Sequence, residues 1–238
     1  MKHELDLTVV IPVYNEEETI CDVIRSIKRA LNEHNISHEL IVVNDGSTDL
    51  TNRKLKEIAS HETICVIEHE KRKGKGAAFL SALKRSRGKY IAIFDADMEY
   101  DAWDLVRMYK HVKSNGFDAC IGSRFKGSIC RMTLSHRVGN IILSKLASIF
   151  FGVSISDVMS GLKLASADLL KATEGWSQGF TFEIDFVWNI VKRNARLVEI
   201  PIRYVRRHKG KSKISFIDGI MSAIWIFKRR LIGGLNDK

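Results

Sequence analysis

Short unbroken apolar runs along this chain alternate with longer stretches in which apolar residues return every third or fourth position. Residues 7–13 (LTVVIPV), 40–43 (LIVV) and 90–94 (YIAIF) read as buried strands, 64–67 as a shorter one and 119–121 as a brief fifth. Between them lie helical patterns over 16–31, 49–58, 77–83 and 102–112; in the first of these Ile20, Val23, Ile24, Ile27 and Leu31 share one face. Alternation of this kind predicts one α/β domain with a mostly parallel central sheet and helices on both faces. The second half changes character. Long amphipathic helices are expected over 131–151 and 180–193, and a last amphipathic piece over 214–227 ends in Lys228-Arg229-Arg230. The expected division is a domain over 1–213, with halves 1–125 and 126–213, followed by a helical segment over 214–238.

Composition narrows the class. With 238 residues, 45% of them hydrophobic and only two prolines, the chain can bury a full core, and disorder or a collagen-like repeat is excluded. Cys21, Cys65, Cys120 and Cys130 form no CxxC pair and no zinc spacing, which favours reduced thiols in a cytosolic setting. The first residues lack the pattern of a signal peptide, and no apolar window reaches the roughly eighteen residues of a membrane span. A formal net charge of +10 calls for an anionic partner: a phosphate-bearing substrate, an anionic membrane surface or a nucleic acid. Nucleic acid is disfavoured, because the basic run 203–213 has only Tyr204 interleaved and no nucleic-acid motif accompanies it.

Ligands of open α/β sheets bind beyond the carboxyl ends of the strands. Three such ends are polar here: Pro12-Val13-Tyr14-Asn15-Glu16, Asn44-Asp45-Gly46-Ser47 and Asp95-Ala96-Asp97, with Glu99 beyond. Any one could be an ordinary turn; all three together point to a site. If the backbone stays extended, Asp95, Asp97 and Glu99 converge on one side and repel unless a divalent cation neutralises them. Such hard oxygen ligands suit Mg²⁺ or Mn²⁺ that also holds substrate phosphates. Lys73-Gly74-Lys75-Gly76 opens a helix and reads equally as an anion-binding turn or a flexible basic loop; it is not a P-loop. Arg124, Arg137, Arg207 and Lys213 are scattered cations that would clamp a diphosphate or a second phosphate, or simply lie on the surface. The histidines share no ligand spacing, and no nucleophile elbow is present.

These segments (VVIPVYNEEETI, IVVNDGSTDLT, RKGKGAA, FDADMEYD, GSRF, DVMSGLKL) and the basic EIPIRYVRRHKGKSKIS come in the order found in glycosyltransferase family 2. The closer resemblance is to dolichyl-phosphate mannosyltransferases and related polyprenyl-phosphate glycosyltransferases. It spans residues 7–216 and implies a single GT-A-type nucleotide-binding domain with a metal at its Asp-x-Asp. By position it implies that Pro12, Tyr14 and Glu16 contact the nucleotide and that Val43 and Asp45 hold the base. Asp95, Ala96 and Asp97 would face ribose, diphosphate and metal, with Glu99 a further metal ligand. Arg124 would lie between donor and acceptor phosphates, Arg207 and Lys213 on the donor diphosphate, and Arg137 and Asn140 near the acceptor phosphate. Asp97 and Arg124 are thereby the catalytic candidates.

Two departures from the family pattern stand out: Asn44 replaces a usual first Asp, and Phe182-Glu183-Ile184-Asp185 exchanges the acids of a usual Phe-Asp-x-Glu. The resemblance implies inverting transfer of a sugar, mannose from GDP-mannose first and glucose from UDP-glucose second, to a polyprenyl (dolichyl-type) phosphate. The alternatives are a saccharide acceptor, for which Asp157 would be the base, and a non-catalytic lipid- or nucleic-acid-binding relative. Membrane contact is expected to be peripheral, at a cytoplasmic face, through helices 131–151 and 214–227 or through a membrane partner subunit.

Overall fold

The computed structural model describes residues 5–206 and 216–235. In chain order the elements are β1 (Leu5–Val13), α1 (Ile20–Glu33), β2 (His38–Asn44), α2 (Thr51–His61), β3 (Cys65–Glu68), α3 (Lys75–Leu83), β4 (Gly88–Ile93), α4 (Ala102–Asn115), β5 (Ala119–Cys130), α5 (Leu134–Phe151), β6 (Lys163–Ser166), α6 (Ala167–Lys171), α7 (Phe182–Lys192), β7 (Leu197–Val205) and α8 (Phe216–Leu235). The strands form one sheet in the order β3-β2-β1-β4-β6-β5-β7. Strands β3, β2, β1 and β4 are parallel, as the mostly parallel sheet expected from the sequence requires, while β6 runs antiparallel to both β4 and β5.

Alternation along the strands divides the core in two. On one face Leu7, Val9, Ile11 and Val13 of β1 pack with Leu40 and Val42 of β2 beneath α1, α2 and α4. On the other, Val10, Ile41, Val43, Ile91 and Ile93 pack beneath α3, α5, α7 and α8. The helices are stopped where the backbone turns left-handed: Gly116 (φ 67°) ends α4 and Gly152 (φ 68°) ends α5.

The first half follows the sequence pattern closely; the second half departs from it. β6 and β7 are unannounced by periodicity. β6 has four residues and carries a lysine, and β7 is an edge strand whose Pro201 and Arg203 are exposed, so its alternation is masked by charge. β5 runs on past Ile121 to Cys130 through an irregularity between Ser123 and Ser128. The helix expected from residue 131 starts at Leu134, because Arg131 is left-handed (φ 64°). Likewise α1 begins at Ile20 rather than 16, since Asn15 (φ 51°) turns the chain out of β1.

Candidate active site

The carboxyl ends of β1, β2 and β4 open into a cavity of about 1020 Å³. Its walls include Pro12, Tyr14, Glu16, Asp45, Asp95, Ala96, Asp97, Glu99 and Arg124, and beyond them Asn140. These sequence-derived residues are therefore brought together. Val43 is not among them: it is fully buried in the core beneath α3. Arg137 is exposed on α5 and is absent from the cavity wall, where Arg131 and Arg206 supply the cations instead. Arg207 and Lys213 lie outside the described residues.

Asp45 is already occupied by protein partners. Its Oδ1 accepts the backbone N–H of Lys73 at 2.9 Å and faces His69 Nδ1 at 2.7 Å, while Oδ2 accepts the N–H of Gly74 at 2.7 Å. The carboxylate thus pins the loop entering α3 against the end of β2. Arg72 on that loop lies over the Tyr14 ring, 4.4 Å from its centroid.

The glycines of that loop serve packing. A Cβ at Gly76 would collide with the carbonyl oxygen of Ser177, and one at Gly74 would sit 2.5 Å from the carbonyl oxygen of Gln178. The Ala77 N–H at the start of α3 donates to Gln178 O at 3.1 Å. Segment 177–179 therefore seats on the helix start, so this loop is packed rather than free, and Gly74 and Lys75 still face the cavity.

The acids after β4 do not form the expected triad. The strand ends at Ile93 and the chain turns through Ala96-Asp97, with Met98 left-handed (φ 61°), so alternation no longer governs where the side chains point. Asp95 pairs with Lys75 (2.5 Å), Asp97 accepts the Glu99 N–H (3.1 Å) and Glu99 accepts the Tyr204 hydroxyl (2.9 Å). Among the described residues no three His, Cys, Asp or Glu side chains are grouped to hold a metal ion. The oxygen-only set on the wall nevertheless fits a hard divalent cation of the kind held by one or two carboxylates and completed by substrate phosphates.

Behind the acids lies a buried ionic chain. Lys75 bridges Asp95 and Glu183 (2.6 Å), and Glu183 also pairs with the fully buried Lys163 of β6. Burial would neutralise all of them. It pushes Asp95 above and Lys163 below their ordinary values. Glu183 faces the same penalty, but Lys163 and Lys75 outweigh it and hold its carboxyl low. Gly161 makes room for this arrangement, because a Cβ there would run into the Asp95 carboxylate.

Arg124 sits at the middle of the cavity wall and is held by Asp157. The Arg124 backbone N–H and Nε both donate to Asp157 Oδ2 (3.0 and 2.7 Å), and Nη2 donates to Oδ1 (2.7 Å). Asp157 is fully buried. Behind it, Glu199 accepts the N–H groups of Ser156 and Asp157. Asp157 is therefore unavailable as a base for a saccharide hydroxyl; it orients the guanidinium. On the cavity wall, Tyr100 and Arg131 were not singled out from the sequence, and Lys75 stood only within the glycine-rich motif. Tyr204 and Arg206 were legible only as a basic run, since the strand that carries Tyr204 went unseen.

Residues 8–173 match the model of glycosyl transferase family 2. The chain is 37% identical over 216 residues to the low-salt glycan biosynthesis hexosyltransferase Agl6 of Haloferax volcanii, covering 90% of this chain and 51% of that protein. To the dolichol-phosphate mannosyltransferase of Pyrococcus furiosus it is 28% identical over 220 residues, covering 88% and 59% respectively. To the polyprenol monophosphomannose synthase of Mycolicibacterium smegmatis it is 30% identical over 220 residues, covering 87% and 80%. The chain thus spans little more than half the length of the first two. In fold it is similar to glucosyl-3-phosphoglycerate synthase of Mycobacterium tuberculosis, solved with Mn²⁺, UDP and phosphoglyceric acid. The TM-score is 0.73 at 22% identity, over 97% of this chain and 78% of that one.

Proposed function

The chain belongs to glycosyl transferase family 2, and on that premise we propose that its cavity transfers a hexose from a nucleotide-sugar to a polyprenyl phosphate. The observation that carries the reading is the cavity's polarity. The carboxylates Glu16, Asp45, Asp95, Asp97 and Glu99 line it with Arg72 and Lys75, and Arg124, Arg131, Arg206 and Asn140 line the same cavity. Relatives named for transfer to dolichol and polyprenol phosphates support the acceptor class. The donor is proposed to be GDP-mannose, with UDP-glucose as the alternative to be tested beside it.

In this reading a lipid phosphate oxygen attacks the anomeric carbon, and the bond from that carbon to the donor's diphosphate oxygen breaks. The leaving nucleoside diphosphate takes the electron pair. The acceptor is already ionised near neutral pH, so no protein base is needed, and the committed state of Asp157 is no obstacle. Direct displacement inverts the centre: an α-linked donor gives a β-linked product. Arg124, fixed in plane by Asp157, meets the charge that grows on the leaving group and draws the acceptor phosphate beside it. Asp97 and Glu99, with Asp95 behind them, would hold Mg²⁺ or Mn²⁺. A bound ion would supply further neutralisation of the diphosphate. Pro12, Tyr14, Glu16 and Asp45 would frame the nucleotide, Asp45 by fixing the Arg72 loop.

Residues 1–125 would then form the donor half and 126–213 the acceptor half. No helix among the described residues is long and apolar enough to cross a membrane. An apolar face on α5 and α8, with Leu134, Ile149, Ile217, Met221, Ile224 and Phe227 all exposed, supports peripheral contact with a lipid surface, proposed to be a cytoplasmic one, alone or with a membrane partner.

The test incubates protein, Mn²⁺ and a polyprenyl phosphate with radiolabelled GDP-mannose or UDP-glucose in parallel. EDTA-sensitive label in the organic phase is expected, from GDP-mannose. Retained anomeric configuration, or label moving only to a water-soluble saccharide, would overturn the reading.

A further inference from the structure

The cavity does not stop at the cations. Its far walls are Gly139, Ile142 and Leu143 of α5 and Gly219, Ile220 and Ala223 of α8. Ile142 and Ile220 line it while remaining 52% and 48% exposed, so this end is open to the outside between the two helices. A cavity with a cationic middle and an apolar exit fits a ligand with a charged head and an apolar tail.

The two glycines sharpen the point. Glycine inside a helix costs roughly 1 kcal/mol relative to alanine, and close backbone packing is the usual compensation. Gly76 of α3 has that compensation; Gly139 and Gly219 do not, because a Cβ at either would meet nothing within 4 Å. What they leave is space, and the space belongs to the cavity. Elsewhere α5 and α8 do touch, through Phe150 and Phe227, whose rings lie 5.3 Å apart edge to face. α8 is also anchored inward: Asp185, fully buried on α7, accepts Trp225 Nε1 and Arg229 Nε, each at 2.7 Å. The gap is thus a slot held open between fixed helices.

We propose that this slot seats the first isoprene units of the acceptor, and that Gly139 and Gly219 set the girth it admits. The inference rests on the polyprenyl-phosphate reading and adds to it a specificity element. With the phosphate at Arg124, Arg131 and Asn140, the chain leaves between Ile142 and Ile220 and reaches the apolar outer face of the same helices. Ser135, His136 and Asn140 of α5 also line the cavity, so polar contacts are available toward the phosphate end, while Ile142, Leu143, Ile220 and Ala223 offer only apolar surface.

The test compares two phosphate monoesters, isopentenyl phosphate, too short to fill the slot, and geranylgeranyl phosphate, which fills it. Binding to the full chain is measured by equilibrium dialysis for wild type, Gly139→Leu, Gly219→Leu and the matching alanine variants, with thermal melts as a folding control. The wild type should prefer the long ester. Each leucine should lower its affinity about tenfold, the loss expected when about two methylene groups can no longer be buried, and move the short ester less than twofold. Alanine should do less than leucine. Equal losses for both esters, no loss for either, or a wild type indifferent to chain length would overturn the proposal. The predicted pattern without transfer of sugar to either ester would instead sink the transfer reading and leave the slot standing.

Discussion

Replacing Asp157 by alanine removes three acceptor contacts from Arg124 and leaves an arginine whose side chain is only 8% exposed without its counter-charge. Breaking a buried pair by removing one partner costs about 3–5 kcal/mol, mostly because the stranded charge cannot regain water. Against a typical domain stability of roughly 5–15 kcal/mol this is a large fraction. With a urea slope of about 2.5–3 kcal/mol/M for a chain of this size, the unfolding midpoint should fall by about 1–2 M. The double variant Asp157→Ala/Arg124→Met removes the stranded charge and should recover most of the loss. In transfer assays Asp157→Asn should lower turnover about a hundredfold, as misplaced catalytic groups do, by a factor that does not change with pH. A general base would behave differently, with activity returning as rising pH ionises the acceptor. A single-variant loss below about 1 kcal/mol, or a double variant as unstable as the sum of its parts, would refute the orienting role.

Other outcomes follow from the same contacts. Gly76→Ala should destabilise by about 1–3 kcal/mol through its clash with Ser177, whereas Gly139→Ala should be neutral or gain up to about 1 kcal/mol; differential scanning calorimetry separates them. Glu183→Gln strands the buried Lys163 and should cost about 3–5 kcal/mol in urea unfolding, with Lys163→Met added on top restoring part of it. Asp185→Asn weakens the hold on Trp225 and Arg229 and should speed hydrogen exchange in α8 while leaving β1 and β4 protected. Asp6 is partly buried, which raises its pKa, but hydrogen bonds from Tyr109, Lys113 and Ser37 prevail and bring it down to about 2 from 3.8. Its stabilisation is therefore complete above the unfolded value and is lost as pH falls from about 4 to about 2. Asp6→Asn should flatten the stability slope across that window.

The strand ends of the first half were legible because each is a short apolar run closing on polar residues, a signal that survives without tertiary context. Pro12, Tyr14, Glu16, Asp95, Ala96 and Asp97 all fall on the cavity wall for that reason. Side-chain direction was not legible. The convergence of Asp95, Asp97 and Glu99 was argued from an extended backbone, and Met98 in the left-handed region breaks that premise. The packing role of Gly74 and Gly76 was hidden in another way, since their partner, the 177–179 segment, is a hundred residues away in sequence and carries no pattern of its own. Arg124 stood out as a candidate cation and through resemblance, but Asp157 could be offered as a base for the saccharide alternative, because a sequence shows a carboxylate and hides its burial. Arg131 escaped because the pattern placed it at the start of a helix, whereas it lies left-handed between β5 and α5.

The antiparallel placement of β6 has a bearing on how the molecule is assembled. This four-residue strand fills the gap between β4 and β5, pairing Ile91 with Ala165 on one side and Cys120 with Leu164 on the other. Until residue 166 has left the ribosome, β4 presents an open edge, and β5 has no neighbour through which to join the sheet. The keystone is thus made late, and closing it requires contacts across more than seventy positions, the kind of long-range pairing that slows folding. A nascent chain paused before that point would expose the most apolar strands of the molecule along a free edge, where self-association competes with completion. Synthesis past β6 closes the β4 edge, and β7 must still follow before β5 is covered on its other side.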